Sequence, residues 1–486
     1  MGNVAVDFGG KPFHFIGIGG IGMSAIAHIL VEQQLPVSGS DLKLNHITQR
    51  LSHQGVRVFM QQDASNLSTF VAERSPVSSG HSSLPQVVCS TAIDPSNVEY
   101  RAAIELGCPI FHRSDVLAAL IQQYSSIAVG GTHGKTTTSS LIAYLLLKSG
   151  LDPTIVVGGE VDAWDGNARL GQGEYLVAEA DESDGSLIKF SPHIGIVTNI
   201  ELDHPDHYES LDDVIEIFKT FQHQSDVFIG SVDCPTVRDE FDLDISYSLD
   251  ATTQADYIAT DLVFHADHTN ATIYEKGERL GTLTLRLLGQ HNVSNALAAV
   301  AVGRYAGLSF ETIASVLATF DGAHRRFEHR GCYDNITFLD DYAHHPSEIK
   351  ATLSAAQMQA SVLQTGDRKR IVAVFQPHRY SRTASFLEDF AQSFQAADLV
   401  VISDIYSAGE QDNYGVSGPV VAEAIAQHHP KVVYQETLDN VNVYLKKILQ
   451  PGDLVLFLGA GNLNKVIPDL LDFYRQKQDQ VLQSSI

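Results

Sequence analysis

Short apolar runs, each closed by glycine, charged or amide residues and followed by a stretch of helical periodicity, recur along nearly the whole chain. The run Phe13 to Ile18 opens a first segment that alternates strand-like and helical patterns until His112-Arg113-Ser114-Asp115. Ser126 to Val129 opens a second, which holds two further runs, Tyr175 to Ala178 and Ile194 to Val197, and closes with a helix from Asn292 to Tyr305 and the sequence His324-Arg325-Arg326-Phe327-Glu328. The third segment is the most regular: Thr337 to Leu339, Ile371 to Phe375, Leu399 to Ile402, Val432 to Tyr434 and Leu454 to Leu458 are separated mostly by helical stretches. Alternation of this kind builds mostly parallel, doubly wound sheets, whose ligands collect at the carboxyl ends of the strands. The pattern predicts an α/β protein of three domains: residues 1–122 Rossmann-like, 123–330 of P-loop ATPase type, and 331–486 doubly wound and Rossmann-like. A Ser-rich insert, Ser75 to Pro85, reads as a surface loop, and the tail Gln476 to Ile486 as frayed.

The strand ends carry the chemistry. After Ile127-Ala128-Val129 comes Gly130-Gly131-Thr132-His133-Gly134-Lys135-Thr136-Thr137. A glycine-rich turn between strand and helix aims bare N–H groups and the positive end of a helix at phosphates. Gly131, Thr132, His133, Gly134, Lys135, Thr136 and Thr137 are therefore expected to bind ATP, with Lys135 against the β and γ phosphates and Thr136 on Mg²⁺. Only three residues separate Gly130 from Gly134, one fewer than the usual phosphate loop has between its outer glycines. Glu179 ends the next run and is placed to hold the same Mg²⁺, whereas Glu182 and Asp184 read as a solvated acidic turn. His204, in Asp203-His204-Pro205-Asp206-His207, suits a second Mg²⁺ better than zinc, because Pro205 breaks helical ligand spacing.

Near the N-terminus, Gly17-Ile18-Gly19-Gly20-Ile21-Gly22 follows the opening strand, with Asp41 about twenty residues on. Gly17, Gly19, Gly20 and Gly22 permit close approach of a pyrophosphate, and the Asp41 carboxylate can take a ribose hydroxyl. The pattern specifies a diphosphate with a sugar, so a UDP-sugar and a nicotinamide dinucleotide both remain open. In the third segment, Arg379 and Arg382 follow a strand and can clamp an anion, and Arg326 stands at the boundary between the second and third segments.

Charge narrows the partners. A net charge of −26 and a pI near 5.1 exclude a nucleic-acid polymer, so anionic ligands must be met by local basic groups. The four cysteines show no ligand-like spacing and fit reduced thiols; no segment reads as a leader or a membrane span, and a cytoplasmic protein is expected.

The stretches GTHGKTTT, EADESD, TNIELDHPDHY, GQHNVSNALAA (Gly289 to Ala299), DDYAHHPSEI and FQPHRYSRT together resemble the Mur ligase family, spread in family order over nearly the whole chain. GIGGIGMSAIA followed by SGSD looks like the branch that adds L-alanine to UDP-N-acetylmuramate. The resemblance implies an ATP- and Mg²⁺-dependent ligase of the peptidoglycan pathway, monomeric or weakly dimeric, that forms an acyl phosphate and then an amide. By the same resemblance Glu179 and His204 complete two magnesium sites, Asn292 and Arg326 contact the nucleotide, Asp341 approaches its ribose, and His344, Arg379 and Arg382 face the amino acid and γ-phosphate. Several relatives carry a carbamylated lysine about fifteen residues past the histidine of the DH pair, where Lys219 stands here; the alanine-adding branch generally lacks it, and Lys219 reads as an exposed helix residue. A murein-peptide recycling ligase on the same sugar and, in a different class, an NAD-dependent oxidoreductase are the competing readings.

Overall fold

The computed structural model describes residues 5–43, 45–72, 84–361 and 369–484. All but the last two residues of the insert Ser75 to Pro85 lie outside them. Of the tail expected to fray, residues 476–484 instead continue the helix Ile467–Ser484, and residues 485–486 lie outside the described residues.

The described residues form three sheets. The first has five parallel strands in the order Arg57–Phe59, Val37–Ser40, Phe13–Ile16, Gln86–Cys89, Ile110–His112. Its central strand stops at Ile16, two residues before the apolar run does, because Gly17 takes a left-handed turn (φ 84°) into the helix Ile21–Glu32. Behind the strands that carry this turn lies a fully buried polar knot. The His14 ring lies 2.8 Å from Glu99 Oε1 on one side and 2.8 Å from Ser38 Oγ on the other, and Asn66 donates to Glu99 at 2.8 Å.

The second sheet has ten strands. Its middle is parallel, with Ser125–Gly130 between Tyr175–Glu179 and Ile194–Val197. The helices Lys135–Lys148 and Gln290–Tyr305 cover it with fully buried Leu141, Ile142, Leu145, Ala296 and Leu297. Three strands at one edge, Tyr257–Phe264, Thr269–Glu275 and Glu278–Leu285, form an antiparallel meander that the search for apolar runs missed. They are buried on one face only, so polar residues interrupt every run. The third sheet contains the five expected strands, all parallel, plus an antiparallel edge strand, Glu328–Tyr333. Its strand Ile336–Asp341 runs two residues past the predicted end, so Asp340 and Asp341 are strand residues and not loop residues.

The first and second domains meet through Arg50, which pairs with Glu160 at 2.9 Å, and through Asn167, which donates to the Ile21 carbonyl at 2.6 Å. Glu99→Ala should lower unfolding stability by about 3 kcal/mol, because it strands the ring and amide of its partners without water. Urea denaturation measures this, and a loss below about 1 kcal/mol would show that the knot is not holding the strands.

Candidate active site

Between the strand Ser125–Gly130 and the helix Lys135–Lys148 the chain passes through Gly131 (φ 133°) and Gly134 (φ 80°). Both turns are closed to larger residues, since a methyl group on Gly131 would run into the Thr198 hydroxyl and one on Gly134 would meet the Asn295 amide. The next strand's loop pins this turn: Thr132 N–H donates to the Asn199 carbonyl and His133 N–H to its side chain, each at 2.9 Å. Lys135 folds over the turn, its ammonium donating to the carbonyls of Gly131 (2.6 Å) and Thr132 (3.1 Å) and to Glu182 Oε1 (2.8 Å). Burial alone would lower the Lys135 pKa, but Glu182, Asp181 and Glu179 more than reverse it and keep the group charged.

Glu182 is not the solvated residue that sequence suggested. It is 2% exposed, and burial together with Asp181 lifts its carboxyl to about 7 against the pull of Lys135. Asp184 is shielded as well, 3.3 Å from the Arg113 guanidinium, which also holds Asp181 at 2.8 Å. Thr136 Oγ1 donates to Glu179 Oε2 at 2.8 Å and accepts from Arg326 at 3.1 Å, so the two hard oxygen donors expected on Mg²⁺ stand side by side. Burial, opposed by Asp203 and aided by Arg382, lowers the His204 pKa and leaves a neutral ring on the same cleft. These donors fit a magnesium nucleotide. Lys219 pairs with Glu240 at 2.9 Å and does not line the cleft, as expected of an exposed helix residue.

The cleft holds about 630 Å³ and takes its walls from all three domains: Gly20 and Gly22 from the first, Lys135, Thr136, Glu179 and His204 from the second, His344, Arg379 and Arg382 from the third. Gly17, Gly19 and Asp41 lie behind this wall; Asp41 accepts from the amides of Gly19 (2.8 Å) and Lys43 (3.1 Å) and so braces its own glycine turn. A second cavity of about 470 Å³, between the central and third domains, is lined by His133, Gly134, Thr137, Asn292, Arg326 and Asp341 among others. Arg326 and Gly134 border both spaces, so the two cavities adjoin. Asp341 already accepts from Phe327 N–H (2.7 Å) and Ala343 N–H (2.8 Å), which orient it on the cavity wall.

Ion pairs dock the third domain. Arg382, 2% exposed, grips Asp203 through Nε at 2.9 Å and Nη2 at 3.3 Å, and Arg379 reaches Asp206 at 2.9 Å and Glu410 at 3.3 Å. His133 lies between Glu201 and Glu348, 3.3 Å from each; burial would lower its pKa, but the two carboxylates raise it to about 10. His133, Glu201 and His345 bring ligand atoms within 4.8 Å of one another, and with His133 protonated the cluster is a charged latch. Burial, with Arg382 assisting and Glu348 opposing, pushes His344 down to about 4, and its Nδ1–H donates to the Tyr342 carbonyl at 3.0 Å. The ring is neutral. Sequence reasoning passed over Arg113, Glu182, Asp203, Glu201 and Glu348. Glu182, Glu201 and Asp203 lie in loops just past strand ends, whereas Arg113 and Glu348 stand in the first turns of the helices Arg113–Ile121 and Pro346–Ala360.

The fold and the paired cavities define a three-domain α/β protein with adjoining ligand-sized spaces where its domains meet. Residues 12–125 match "Mur ligase family, catalytic domain", 129–303 "Mur ligase middle domain" and 325–461 "Mur ligase, glutamate ligase domain". The chain belongs to the Mur ligase family. It is 62% identical over 96% of its length to a UDP-N-acetylmuramate–L-alanine ligase of Nostoc sp., covering 98% of that protein, and 61% identical to one of Trichormus variabilis over the same shares. Among solved structures, the UDP-N-acetylmuramate-alanine ligase of Thermotoga maritima is 27% identical with a TM-score of 0.80, over 96% of this chain and 99% of that one. A murein peptide ligase of Psychrobacter arcticus (22%, TM-score 0.70, covering 96% and 99%) shares the fold.

Docking makes a pH prediction. Arg382 holds Asp203 far below the ordinary carboxylate range despite burial, and His133 holds Glu201 at about 2. Depressed carboxylates contribute stability above their ordinary pKa and lose it as the pH falls through the folded value. Urea stability should therefore decline between about pH 5 and about pH 2, and decline less in Arg382→Leu, which has already lost the Asp203 contribution. Equal slopes would mean that Asp203 is not paired in solution.

Proposed function

We propose that this chain joins L-alanine to the carboxyl group of UDP-N-acetylmuramate, converting ATP to ADP and phosphate. The observation that carries this is the single cleft on which the glycine turn of the first domain, the phosphate loop of the second and the arginine loop of the third all open. The relatives named for this reaction, at 61–62% identity over 96% of the chain, support the same substrates.

In the first step a carboxylate oxygen of the sugar substrate attacks the γ-phosphorus, the bond to ADP breaks and an acyl phosphate forms. In the second the amine nitrogen of L-alanine attacks the acyl carbon, phosphate leaves and the nitrogen loses a proton. Phosphoryl transfer asks for in-line positioning and charge neutralisation, which Lys135 and the amides of Gly131 to Thr137 supply. Thr136, Glu179 and His204 would hold Mg²⁺, which neutralises charge on the phosphates. Asn292, Arg326 and Asp341 take the nucleoside, and Gly17, Gly19, Gly20 and Gly22, braced by Asp41, take the diphosphate of the sugar. From the third domain, neutral His344 faces the amino acid, Arg379 borders the γ-phosphate path, and Arg382 clamps the domain shut through Asp203. Closure keeps water from the acyl phosphate.

We divide the chain at 122/123, and place the second boundary before residue 328 instead of after 330, because the strand Glu328–Tyr333 belongs to the third sheet. A substrate pair of ATP and a uridylated sugar supports a cytoplasmic protein, and among the described residues no helix is long and apolar enough to cross a membrane. The nicotinamide reading explains only the glycine turn and leaves the phosphate loop without a role.

Phosphate release should require UDP-N-acetylmuramate and run faster with L-alanine than with glycine or a murein tripeptide; tripeptide preference would favour the recycling reaction. Lys135→Ala should slow release at least about 1,000-fold while the Kd for UDP-N-acetylmuramate, by calorimetry, stays within about threefold, because the two ligands occupy different domains. Loss of sugar-nucleotide binding in a folded variant would contradict the assignment of separate sites.

A further inference from the structure

The three N–H donors of Lys135 are all taken by protein: the carbonyls of Gly131 and Thr132, and Glu182 Oε1 at 2.8 Å. A phosphate oxygen can bond this ammonium only by displacing one of the three. The two carbonyls belong to the turn itself and cannot withdraw, whereas the carboxylate is a side chain. Glu182 differs from its acidic neighbours in what holds it. Asp181 and Asp184 share Arg113, and Glu179 accepts from Thr136 and from the Gly158 N–H. The Glu182 side chain is 3% exposed, its other oxygen, Oε2, is buried without a partner, and Lys135 is its one ionic partner among the described residues. The backbone gives it no room to escape, since its carbonyl accepts from both the Tyr208 hydroxyl and the Gly185 N–H.

We propose that Glu182 is a positioning residue that sets nucleotide affinity, its carboxylate competing with the β and γ phosphates for Lys135. The inference rests on the reading that the Gly130–Gly134 loop binds ATP. When a phosphate takes the ammonium, Glu182 is left buried beside an anion without its cation, and that desolvation opposes binding. The same competition speeds the departure of ADP, because the carboxylate recaptures Lys135 as the phosphates leave.

The test is calorimetric titration of ATP and of ADP into the full chain, with magnesium and without amino acid or sugar substrate, for wild type, Glu182→Gln and Glu182→Ala. Glu182→Gln keeps the shape and removes the charge, and Glu182→Ala removes both. Both variants should bind ATP and ADP about tenfold more tightly than wild type, a gain that a merely structural residue does not produce when truncated. In turnover, KM for ATP should fall and kcat should fall with it as ADP release slows, while the Kd for UDP-N-acetylmuramate is unchanged. Nucleotide affinity that is equal to or weaker than wild type overturns the proposal, as does failure of both variants to fold, which would make Glu182 a structural residue. Absence of ATP and ADP binding in the wild type is a separate outcome, and it would remove the functional reading itself.

Discussion

The ammonium of Lys135 lies at the mouth of a glycine turn, among three carboxylates, in a protein whose net charge is −26. Two polyanionic substrates have to meet in such a protein, and four of the cations that line the cleft are already engaged with acidic side chains. Lys135 is held by Glu182, Arg113 by Asp181 and Asp184, Arg382 by Asp203, and Arg379 by Asp206 and Glu410. Pairing keeps each cation charged and oriented in a partly dry cleft, where an unpaired charge would be costly. On the proposed function, phosphates then bind by exchange, one set of anions replacing another. The carbonyl collar of the loop and the carboxylates around it therefore decide where phosphate charge can settle.

The same use of charge closes the molecule. Asp203, Asp206 and Glu201 come from one loop of the central domain, just past the strand Ile194–Val197, and their partners Arg382, Arg379 and Ser347 from the N-terminal ends of two helices of the third, Tyr380–Ser385 and Pro346–Ala360. His133 extends this contact into the phosphate loop itself, because its ring bridges Glu201 and Glu348 while its N–H is fixed by Asn199. Nucleotide contact and domain docking are thus built on neighbouring residues. Arg326 adds a mechanical link, since its guanidinium reaches Thr136 and lies over the Tyr342 ring. Strand ends bear most of these groups, so the sheets supply the rigidity and the loops the chemistry.

Parallel strands were legible in the sequence because both their faces are buried, and they appear as uninterrupted apolar runs such as Ile371 to Phe375. The antiparallel meander Tyr257 to Leu285 was hidden because alternate residues face solvent and Thr, Asp and Asn dilute the pattern. Glycine, lysine and threonine crowded together made the strand-to-helix turn at Gly131 to Gly134 readable from spacing alone. Glu182 and Asp184 were misjudged for a physical reason: a run of acidic residues looks solvated until the lysine and arginine that bury it, 47 residues before Glu182 and 71 before Asp184, are placed in space. Asp203 escaped notice in the same way, since its partner Arg382 lies 179 positions further along. Local chemistry shows in local sequence, but a pair that spans two domains leaves no signature until the chain is folded.

The central claim is that the cleft brings the sugar's carboxylate to the γ-phosphorus, so that the oxygen lost in forming the amide leaves as part of phosphate. Oxygen-18 placed in the carboxyl group of UDP-N-acetylmuramate follows that atom directly through one turnover with ATP and L-alanine. The account predicts that the label appears in the released inorganic phosphate, in equal amount to the amide formed. Unlabelled phosphate, with amide formed at the same rate, would contradict it, for the carboxylate would then never have bonded to phosphorus.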